Sequence, residues 1–308
     1  MRSARPVAAA TITSGRSFSV SRLIRPASAG LFVFCLALTP RFAGAQGDAK
    51  RGEYLSKVGG CIGCHTEERK DATPYAGGRA LKTPFGTFFG PNITPHPQAG
   101  IGRWSEADFL QAMREGFRPD GAHFYPAFPY PSFTHATDAD LRDLWAYLRT
   151  LPPSPQPSRP HELGLLYRGR FMLGLWKMLF FSPGAFRPDP KQNDAVNRGA
   201  YLVQSLGHCG ECHTPRNFLG GPKRGRWLAG GKIPDGKRAA NLTPAHLKQW
   251  SDGELRDILT SGLFPDGDVL GETMGEVVRN TTSQLTKNDL DAVIAYLRTL
   301  PPLPEEPK

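Results

Sequence analysis

The sequence predicts an all-α fold in which one structural unit is used twice, and three observations support this prediction. Short segments recur in the same order in the two halves of the 308-residue chain. Each half ends in a segment with apolar residues at helical spacing, and no segment alternates in the way that is typical of a strand. Both halves also repeat a helix-initiating pattern, a hydroxyl side chain followed three positions later by a carboxylate.

The recurring segments indicate an internal duplication. The matching pairs are 51–55 with 198–202, 76–78 with 229–231, 92–95 with 241–244, 104–105 with 250–251, and 146–153 with 295–302. The distance from Trp104 to Gly121 equals that from Trp250 to Gly267, 17 positions. We therefore expect one fold that occurs twice.

Local signals place the helices within each unit. The first helix is expected near 51–58, where it leads into a cysteine motif. The N-terminal capping pairs are Ser105 with Asp108, Thr137 with Asp140, Ser251 with Glu254, and Thr286 with Asp289. The last helix of each unit carries an apolar stripe, Leu141, Leu144, Trp145 and Leu148 in the first unit and Leu290, Val293, Ile294 and Leu297 in the second. A double proline then ends each of these helices.

The most specific feature is a C-x-x-C-H motif that occurs at 61–65 and again at 209–213. This spacing is the attachment signature of c-type haem, in which two thiols bond one porphyrin and the adjacent histidine ligates its iron. We therefore predict two covalently bound haem c groups. The predicted attachment residues are Cys61, Cys64, Cys209 and Cys212, and the predicted proximal iron ligands are His65 and His213.

Other uses of these cysteines fit the sequence less well. A C-x-x-C disulfide closes a strained and reactive ring rather than a structural link. A thioredoxin-like motif would require a βαβ context, which is not predicted here. A zinc site would place adjacent Cys and His residues on one tetrahedral ion, which is an awkward geometry.

The first 45 residues have the features of a secretory signal peptide. The segment contains six arginines and no acidic residue. It also contains an apolar run at 30–38 and an A-x-A cleavage site at 43–45. Haem attachment of this kind takes place outside the bacterial cytoplasm, so we expect a periplasmic protein, with membrane association on the periplasmic face left open. Without the six arginines the formal charge falls from +10 to +4. Binding of nucleic acid is therefore not expected.

The segment 154–192 is predicted to be a linker between the units. It opens with closely spaced prolines, which favour a stiff and extended chain. An apolar stretch at 165–181 follows, and its length and polar interruptions argue against a membrane span. Two interpretations remain open. The stretch is either a helix packed between the two domains or an exposed docking surface for a partner or a membrane, with Arg168, Arg170 and Lys177 on its polar face.

The two units differ where the sixth iron ligand is expected. Met274 lies seven positions after Gly267, and a methionine thioether is a common distal ligand of c-type haem. Phe128 lies seven positions after Gly121 and cannot ligate iron. The first iron would therefore use His123, which lies in the same loop, or remain open. The weaker candidates are Tyr125, His96, His135 and Met113.

The chain resembles the dihaem and multihaem cytochrome c subunits of membrane-associated bacterial dehydrogenases that oxidise alcohols, gluconate, sorbitol or fructose. The resemblance covers nearly the whole chain after the signal and rests on the segments 92–95, 100–105, 125–130, 175–181, 197–202 and 207–209. It implies electron transfer from a catalytic dehydrogenase subunit with a flavin or quinone cofactor to quinone or a terminal oxidase. The family usually places Met at the position of Phe128.

Together these features predict two tandem class I cytochrome c domains, 46–153 and 193–304, joined by the linker and followed by a short tail at 305–308. No nucleophile triad or paired carboxylates point to bond-making chemistry, so no catalytic residue is predicted. The expected function is electron transfer. The alternative is a dihaem peroxidase or a gas-binding haem protein that uses an open first iron.

Overall fold

The structure is a computed structural model that describes residues 47–233 and 236–305. These residues belong to one compact unit and are largely helical, which confirms the helical character that the sequence predicts. The predicted signal peptide at 1–45 and most of the predicted tail lie outside the described residues. Within the described ranges, no helix is both long enough and apolar enough to cross a membrane.

The helices and strands recur in a similar order in the two halves. The first half contains α1 (Ala49–Val58), α2 (Cys61–His65), β1 (Ala80–Thr83), β2 (Gly86–Phe89), α3 (Glu106–Glu115), α4 (Tyr130–Phe133) and α5 (Asp138–Leu148). The segment between the halves contains β3 (Glu162–Leu163) and α6 (Met172–Phe180). The second half contains α7 (Asp194–Gln204), α8 (Gly210–His213), β4 (Gly231–Lys232), β5 (Arg238–Ala239), α9 (Pro244–Leu247), α10 (Asp252–Ser261), α11 (Glu272–Asn280) and α12 (Lys287–Thr299).

The predicted capping residues begin the helices as expected. Reciprocal capping boxes are present at α3, between Ser105 and Asp108, and at α10, between Ser251 and Glu254. At α5 and α12 a threonine hydroxyl accepts the amide hydrogen of the aspartate three positions later. The carboxylates of those two aspartates do not complete a capping box and instead join the two halves, as described below.

The expectation that no strands form was wrong, because short antiparallel strands are present. β1 and β2 form a hairpin, and β2 also pairs with β3. The hairpin turns at Gly86, whose φ of 125° favours glycine. Strands of two to four residues are too short to show a clear alternation in the sequence, and the partner β3 lies far along the chain.

In each half the first and last helices cross at a glycine. Gly52 of α1 lies against the backbone of Asp143 in α5, and Gly199 of α7 lies against that of Ala292 in α12. A Cβ atom at either glycine would lie 1.9 Å from the facing carbonyl oxygen. Only glycine therefore permits this crossing, which gives a physical reason for the Arg-Gly-x-Tyr-Leu segment that recurs at 51–55 and 198–202.

Two matching tyrosine contacts join the halves. Tyr54 of α1 donates a hydrogen bond of 2.6 Å to Asp289 of α12, and Tyr201 of α7 donates one to Asp140 of α5. An arginine from the same half pairs with each of these carboxylates. Each tyrosine thus reaches the last helix of the other half, so the halves meet in a reciprocal arrangement.

The segment between the halves packs against both of them through one face of α6. Trp176 donates a hydrogen bond of 3.0 Å to the carbonyl of Leu219 in the second half. Lys177 is buried, and its Nζ donates to the carbonyls of Glu115 and Gly116 at the end of α3. Burial lowers the pKa of Lys177 to about 8, although the charge of Glu115 opposes the shift. Placing Lys177 on a polar outer face was therefore wrong, because its stem passes along apolar side chains to reach these carbonyls.

The other face of this segment is exposed and apolar. Together with neighbouring residues of the second half it forms what we call the apolar surface, made of Leu165, Leu166, Phe171, Met172, Leu175, Met178, Leu179, Phe218 and Leu219. Several of these side chains are almost fully exposed, such as Leu166 at 84% and Phe218 at 91%. One face of the stretch thus packs between the halves and the other is exposed, whereas docking of a partner or a membrane stays a prediction.

Candidate functional site

The first C-x-x-C-H motif forms α2, and the second forms α8 together with Cys209, the residue that caps this helix; each follows shortly after the first helix of its half. In each half the chain turns sharply between the first helix and the motif helix. The turn residue has a positive φ, 56° at Gly60 in the first half and 38° at His208 in the second. The four described cysteines form no disulfide. Burial and the neighbouring thiol raise the pKa of Cys61 to about 12, and the same causes raise that of Cys209 to about 12. These two thiols remain protonated at neutral pH, unlike the low-pKa cysteines of redox motifs.

The two motif histidines have the same orientation. Nδ1 of His65 lies 2.7 Å from the carbonyl oxygen of Pro91, and Nδ1 of His213 lies 2.7 Å from that of Ala240. Because a carbonyl can only accept, Nδ1 carries the proton in each ring and Nε2 keeps its lone pair for a metal. Burial lowers the pKa of both imidazoles, although these hydrogen bonds oppose the shift. Both rings are therefore neutral near pH 7, the state in which histidine ligates a metal.

The recurring Asn-x-Thr-Pro segments hold these carbonyl groups in place. Buried Asn92 follows Pro91, and its side chain accepts the amide hydrogen of Thr94 and donates to the carbonyls of Ser154 and Gln156. In the second half Asn241, Thr243 and Leu303 form the equivalent contacts. Each asparagine thus anchors its loop to the chain that follows the last helix, and the loop in turn orients the histidine ring.

A cavity of about 1890 Å³ adjoins the first motif. Its lining combines Cys61, Cys64 and His65 with apolar side chains such as Phe109 and Leu144. This volume exceeds the roughly 300–1,000 Å³ of ordinary ligand pockets. An apolar cavity with two thiols and a neutral imidazole on one wall fits a large, flat, covalently attached macrocycle such as haem.

One polar group in this lining is unsatisfied. Nε of Arg79 is buried without a hydrogen-bond partner among the described residues, whereas its other nitrogens pair with Glu68 and Glu276. A buried donor without an acceptor is costly. A haem propionate would supply that acceptor, so this second observation also fits a haem at the first motif.

The two motifs lie next to each other. Nε2 of His208, which precedes the second motif, lies 3.3 Å from the carbonyl oxygen of Gly59, which precedes the first. Ser132 of the first half donates a hydrogen bond of 2.7 Å to Glu211 within the second motif. The cavity of the first motif also reaches Cys212. Groups bound at the two motifs would therefore be neighbours.

The residues predicted to provide the sixth ligands have different environments. Met274 lies in the first turn of α11 and is partly buried. Phe128 lines the cavity of the first motif. The ring of His123 lies against Phe117, at 4.6 Å between centroids, and its Nε2 faces Gly174 of α6. His123 is not part of the cavity lining, and its Nδ1 is buried without a hydrogen-bond partner among the described residues.

Three of the four weaker candidates are engaged elsewhere. The imidazole of His96 accepts the backbone amide of Ala99, that of His135 contacts the carbonyl of Gly184, and the hydroxyl of Tyr125 donates to the carbonyl of Tyr167. Met113, in contrast, is buried at 4% exposure and belongs to the lining of the cavity that also contains His65.

Sequence reasoning missed the roles of several residues in this site. It did not assign the Pro91 and Ala240 carbonyls, because a backbone acceptor leaves no side-chain signal. The recurrence of the Asn-x-Thr-Pro segments directly after them was the available clue. Arg79 was also missed, although it follows the recurring Ala-Gly-Gly segment at 76–78.

Comparison with known proteins agrees with this geometry. Residues 49–152 match the family model described as cytochrome c. The chain is 46% identical over 271 residues to a diheme cytochrome c-type protein of Cereibacter sphaeroides, a match that covers 84% of this chain and 88% of that protein. It is 39% identical over 283 residues to the cytochrome c subunit of a quinone alcohol dehydrogenase of Gluconacetobacter polyoxogenes, covering 87% of this chain and 59% of the relative.

A third relative is the fructose dehydrogenase cytochrome subunit of Gluconobacter japonicus, 40% identical over 256 residues, with 82% of this chain and 52% of the relative covered. The chain thus spans only about half the length of these two dehydrogenase subunits. The fold, the motifs and these matches define a c-type cytochrome. The chain belongs to the cytochrome c family that includes diheme cytochromes c and the cytochrome subunits of alcohol, fructose and gluconate dehydrogenases.

Proposed function

We propose that this protein is an exported dihaem cytochrome c that accepts electrons from a catalytic dehydrogenase subunit and passes them to quinone or a terminal oxidase. The observation that carries the proposal is the matched pair of motif histidines. His65 and His213 each present Nε2 next to a C-x-x-C pair and are each held by a backbone carbonyl. The names of the relatives support the role of dehydrogenase subunit.

In this proposal the two halves are tandem class I cytochrome c domains joined by the 154–192 linker. Haem c bound at each motif would supply a one-electron iron couple. Cys61 and Cys64 would hold one haem, and Cys209 and Cys212 the other. His65 and His213 would be the proximal ligands, and Met274 the distal ligand at the second motif.

The protein itself contributes position and environment. The carbonyl hydrogen bonds fix the ring planes of His65 and His213, and the largely apolar lining gives the cavity of the first motif an environment of low polarity. The reciprocal contacts of Tyr54 and Tyr201 hold the two motifs at a constant separation. Because electron transfer slows steeply with distance, this rigid interface favours rapid exchange between the two sites.

The apolar surface is the proposed docking site for the catalytic dehydrogenase subunit. Leu166, Leu175 and Phe218 belong both to this surface and to the cavity lining that contains His65. A protein seated there would therefore lie beside the first motif, where electrons would enter. An exposed apolar patch of this kind is typical of an interaction site.

Haem content is the first test of the proposal. The purified protein is expected to contain two covalently bound haems per chain by mass spectrometry of the denatured protein. Replacement of Cys209 and Cys212 by alanine should reduce this number to one. A single haem in the unaltered protein would contradict the dihaem proposal.

The docking proposal is tested by the rate at which a purified alcohol, fructose or gluconate dehydrogenase reduces the protein. Phe171→Glu should slow the reduction without changing the visible spectrum, because Phe171 is 80% exposed. Val269→Glu is the matched control, since Val269 is 62% exposed in a loop of the second half. Equal rates for both variants, with loss of binding to lipid vesicles only in Phe171→Glu, would identify the surface as a membrane contact instead.

Export is tested separately by cell fractionation. The haem-containing protein is expected in the periplasmic fraction, shortened by the predicted signal of 45 residues. A full-length haem protein in the cytoplasmic fraction would contradict this part of the proposal.

A further inference from the structure

The cavity of the first motif contains one buried thioether. The methionines that line it are Met113 of α3 and Met172 of α6. Met113 is 4% exposed, whereas Met172 is 49% exposed on the outer face of α6.

The two halves keep the same register around this position. Equivalent residues are 146 positions apart from Trp104 and Trp250 as far as Gly121 and Gly267. The isolated bridge between Phe117 and His123 recurs between Leu263 and Val269 with the same offset. The backbone hydrogen bonds from 124 to 116 and from 270 to 262 recur as well, both at 2.8 Å. Equivalent positions can therefore be compared directly along α3 and α10 and into the following loop.

At two pairs of equivalent positions, one half has a methionine where the other half has an apolar residue without sulfur. The eighth residue of the capped central helix is Met113 in α3 and Leu259 in α10. The loop position seven after the positive-φ glycine is Phe128 in the first half and Met274 in the second. Each half thus has one thioether at one of the two positions and an apolar side chain at the other.

The other candidate ligands near the first motif lie outside the cavity or are held by hydrogen bonds. The ring of His123 packs against Phe117 and faces α6, outside the cavity lining, although its buried Nδ1 has no hydrogen-bond partner among the described residues. The hydroxyl of Tyr125 donates to a backbone carbonyl. Nδ1 of His161 accepts the amide of Phe89, and its ring packs against Phe88.

We propose that Met113 is the sixth ligand of the iron at the first motif, so that the ligand has moved from the loop to α3 in this half. The inference rests on the proposed attachment of a haem at each motif but not on the proposed dehydrogenase partner. It implies that both irons are bound by histidine and methionine. An open first iron, which a peroxidase or gas-binding function would need, is then not available.

The test uses the purified holoprotein and the far-red charge-transfer band of ferric iron bound to a thioether. The unaltered protein should show the band intensity of two such irons per chain, and its reduced form should not bind carbon monoxide. Met113→Leu, which recreates the residue of the second half, should lose about half of the band and bind one carbon monoxide per chain. Met274→Leu should lose the other half.

Met172→Leu is the control, because it removes a thioether from the same cavity lining without removing the proposed ligand. It should leave the band and the carbon monoxide result unchanged. An exchange of methionine for leucine nearly conserves side-chain volume, so Met113→Leu is expected to fold. The unaltered protein tests the inference even if that variant does not fold.

Three results would overturn the inference. They are a band equivalent to one iron in the unaltered protein, carbon monoxide binding before any substitution, or an unchanged band in Met113→Leu. Haem content is measured on the same samples. A single haem per chain would refute the dihaem proposal, whereas two haems with one open or nitrogen-bound iron would refute only the role of Met113.

Discussion

The crossing of α7 and α12 gives the sharpest prediction about stability. In Gly199→Ala the new Cβ atom would lie 1.9 Å from the carbonyl oxygen of Ala292 and 2.8 Å from Cβ of Tyr296. Ordinary contacts of a Cβ atom begin near 3.4 Å, so the two helices would have to separate by about 1.5 Å. A gap of only about 0.5–1 Å already forfeits a quarter to a half of the dispersion energy between facing atoms.

Two effects of opposite sign compete in this substitution. Alanine in a helix interior is favoured over glycine by roughly 0.5–1 kcal/mol. Overpacking of a tight contact costs typically about 1–3 kcal/mol and occasionally more. Because the facing atoms are backbone and cannot rotate away, we expect the second effect to dominate, with a net loss of about 2 kcal/mol or more. For a chain of this size that corresponds to a fall in melting temperature of roughly 4–8 °C.

Thermal unfolding of the holoprotein, followed by circular dichroism, measures this effect. Gly253→Ala is the matched control, since its Cβ atom would meet nothing closer than Oγ of Ser251 at 3.8 Å within α10. The control should leave stability unchanged or raise it by up to about 1 kcal/mol, because only the helix preference of alanine acts there. Gly52→Ala should behave like Gly199→Ala, because it faces the same 1.9 Å contact. Equal melting temperatures for Gly199→Ala and the control would refute this account of the crossing.

Three further predictions follow from the other contacts. Burial raises the pKa of Asp289, but its hydrogen bonds to Arg198 and Tyr54 outweigh this and hold the pKa below its usual range. Its contribution to stability is therefore fully present above the unfolded pKa of about 3.9 and is lost as the pH falls through the lower folded value. Asp289→Asn should flatten the acid limb of stability against pH, and an unchanged limb would exclude this role. Asn241→Ala should raise the reduction potential of the haem proposed at the second motif only, because the Ala240 carbonyl that polarises His213 is no longer held in place. A shift in the potentials of both haems in a potentiometric titration would argue against this role. Lys177→Ala should increase limited proteolysis between the halves, whereas the same change at exposed Met178 should not, and equal cleavage of both variants would show that Lys177 does not anchor α6.

The sequence predicted those parts of the structure that depend on residues close together in the chain. The capping pairs at α3 and α10 lie three positions apart, and their hydrogen bonds form within a single helical turn. The C-x-x-C-H motifs are equally local, and the match to cytochrome c agrees with the cofactor that they indicated. The duplication was visible because whole segments recur, which requires no knowledge of contacts.

Other features depend on which distant residues meet, and no spacing in the sequence encodes that. Asp140 and Asp289 look like completed capping boxes, yet their carboxylates bind a tyrosine of the other half. Lys177 looks like a solvated charge on an amphipathic helix, yet it is buried against the end of α3 because α6 folds back on that helix.

The same distinction applies to the iron site that we propose at the first motif. The sequence by itself determined that Phe128 cannot be a ligand, because that follows from the chemistry of the side chain. It favoured His123 because that residue is close in the loop. Only the tertiary structure placed His123 against α6 and Met113 in the lining of the cavity that contains His65, since the direction of a side chain is set by the elements that pack around it.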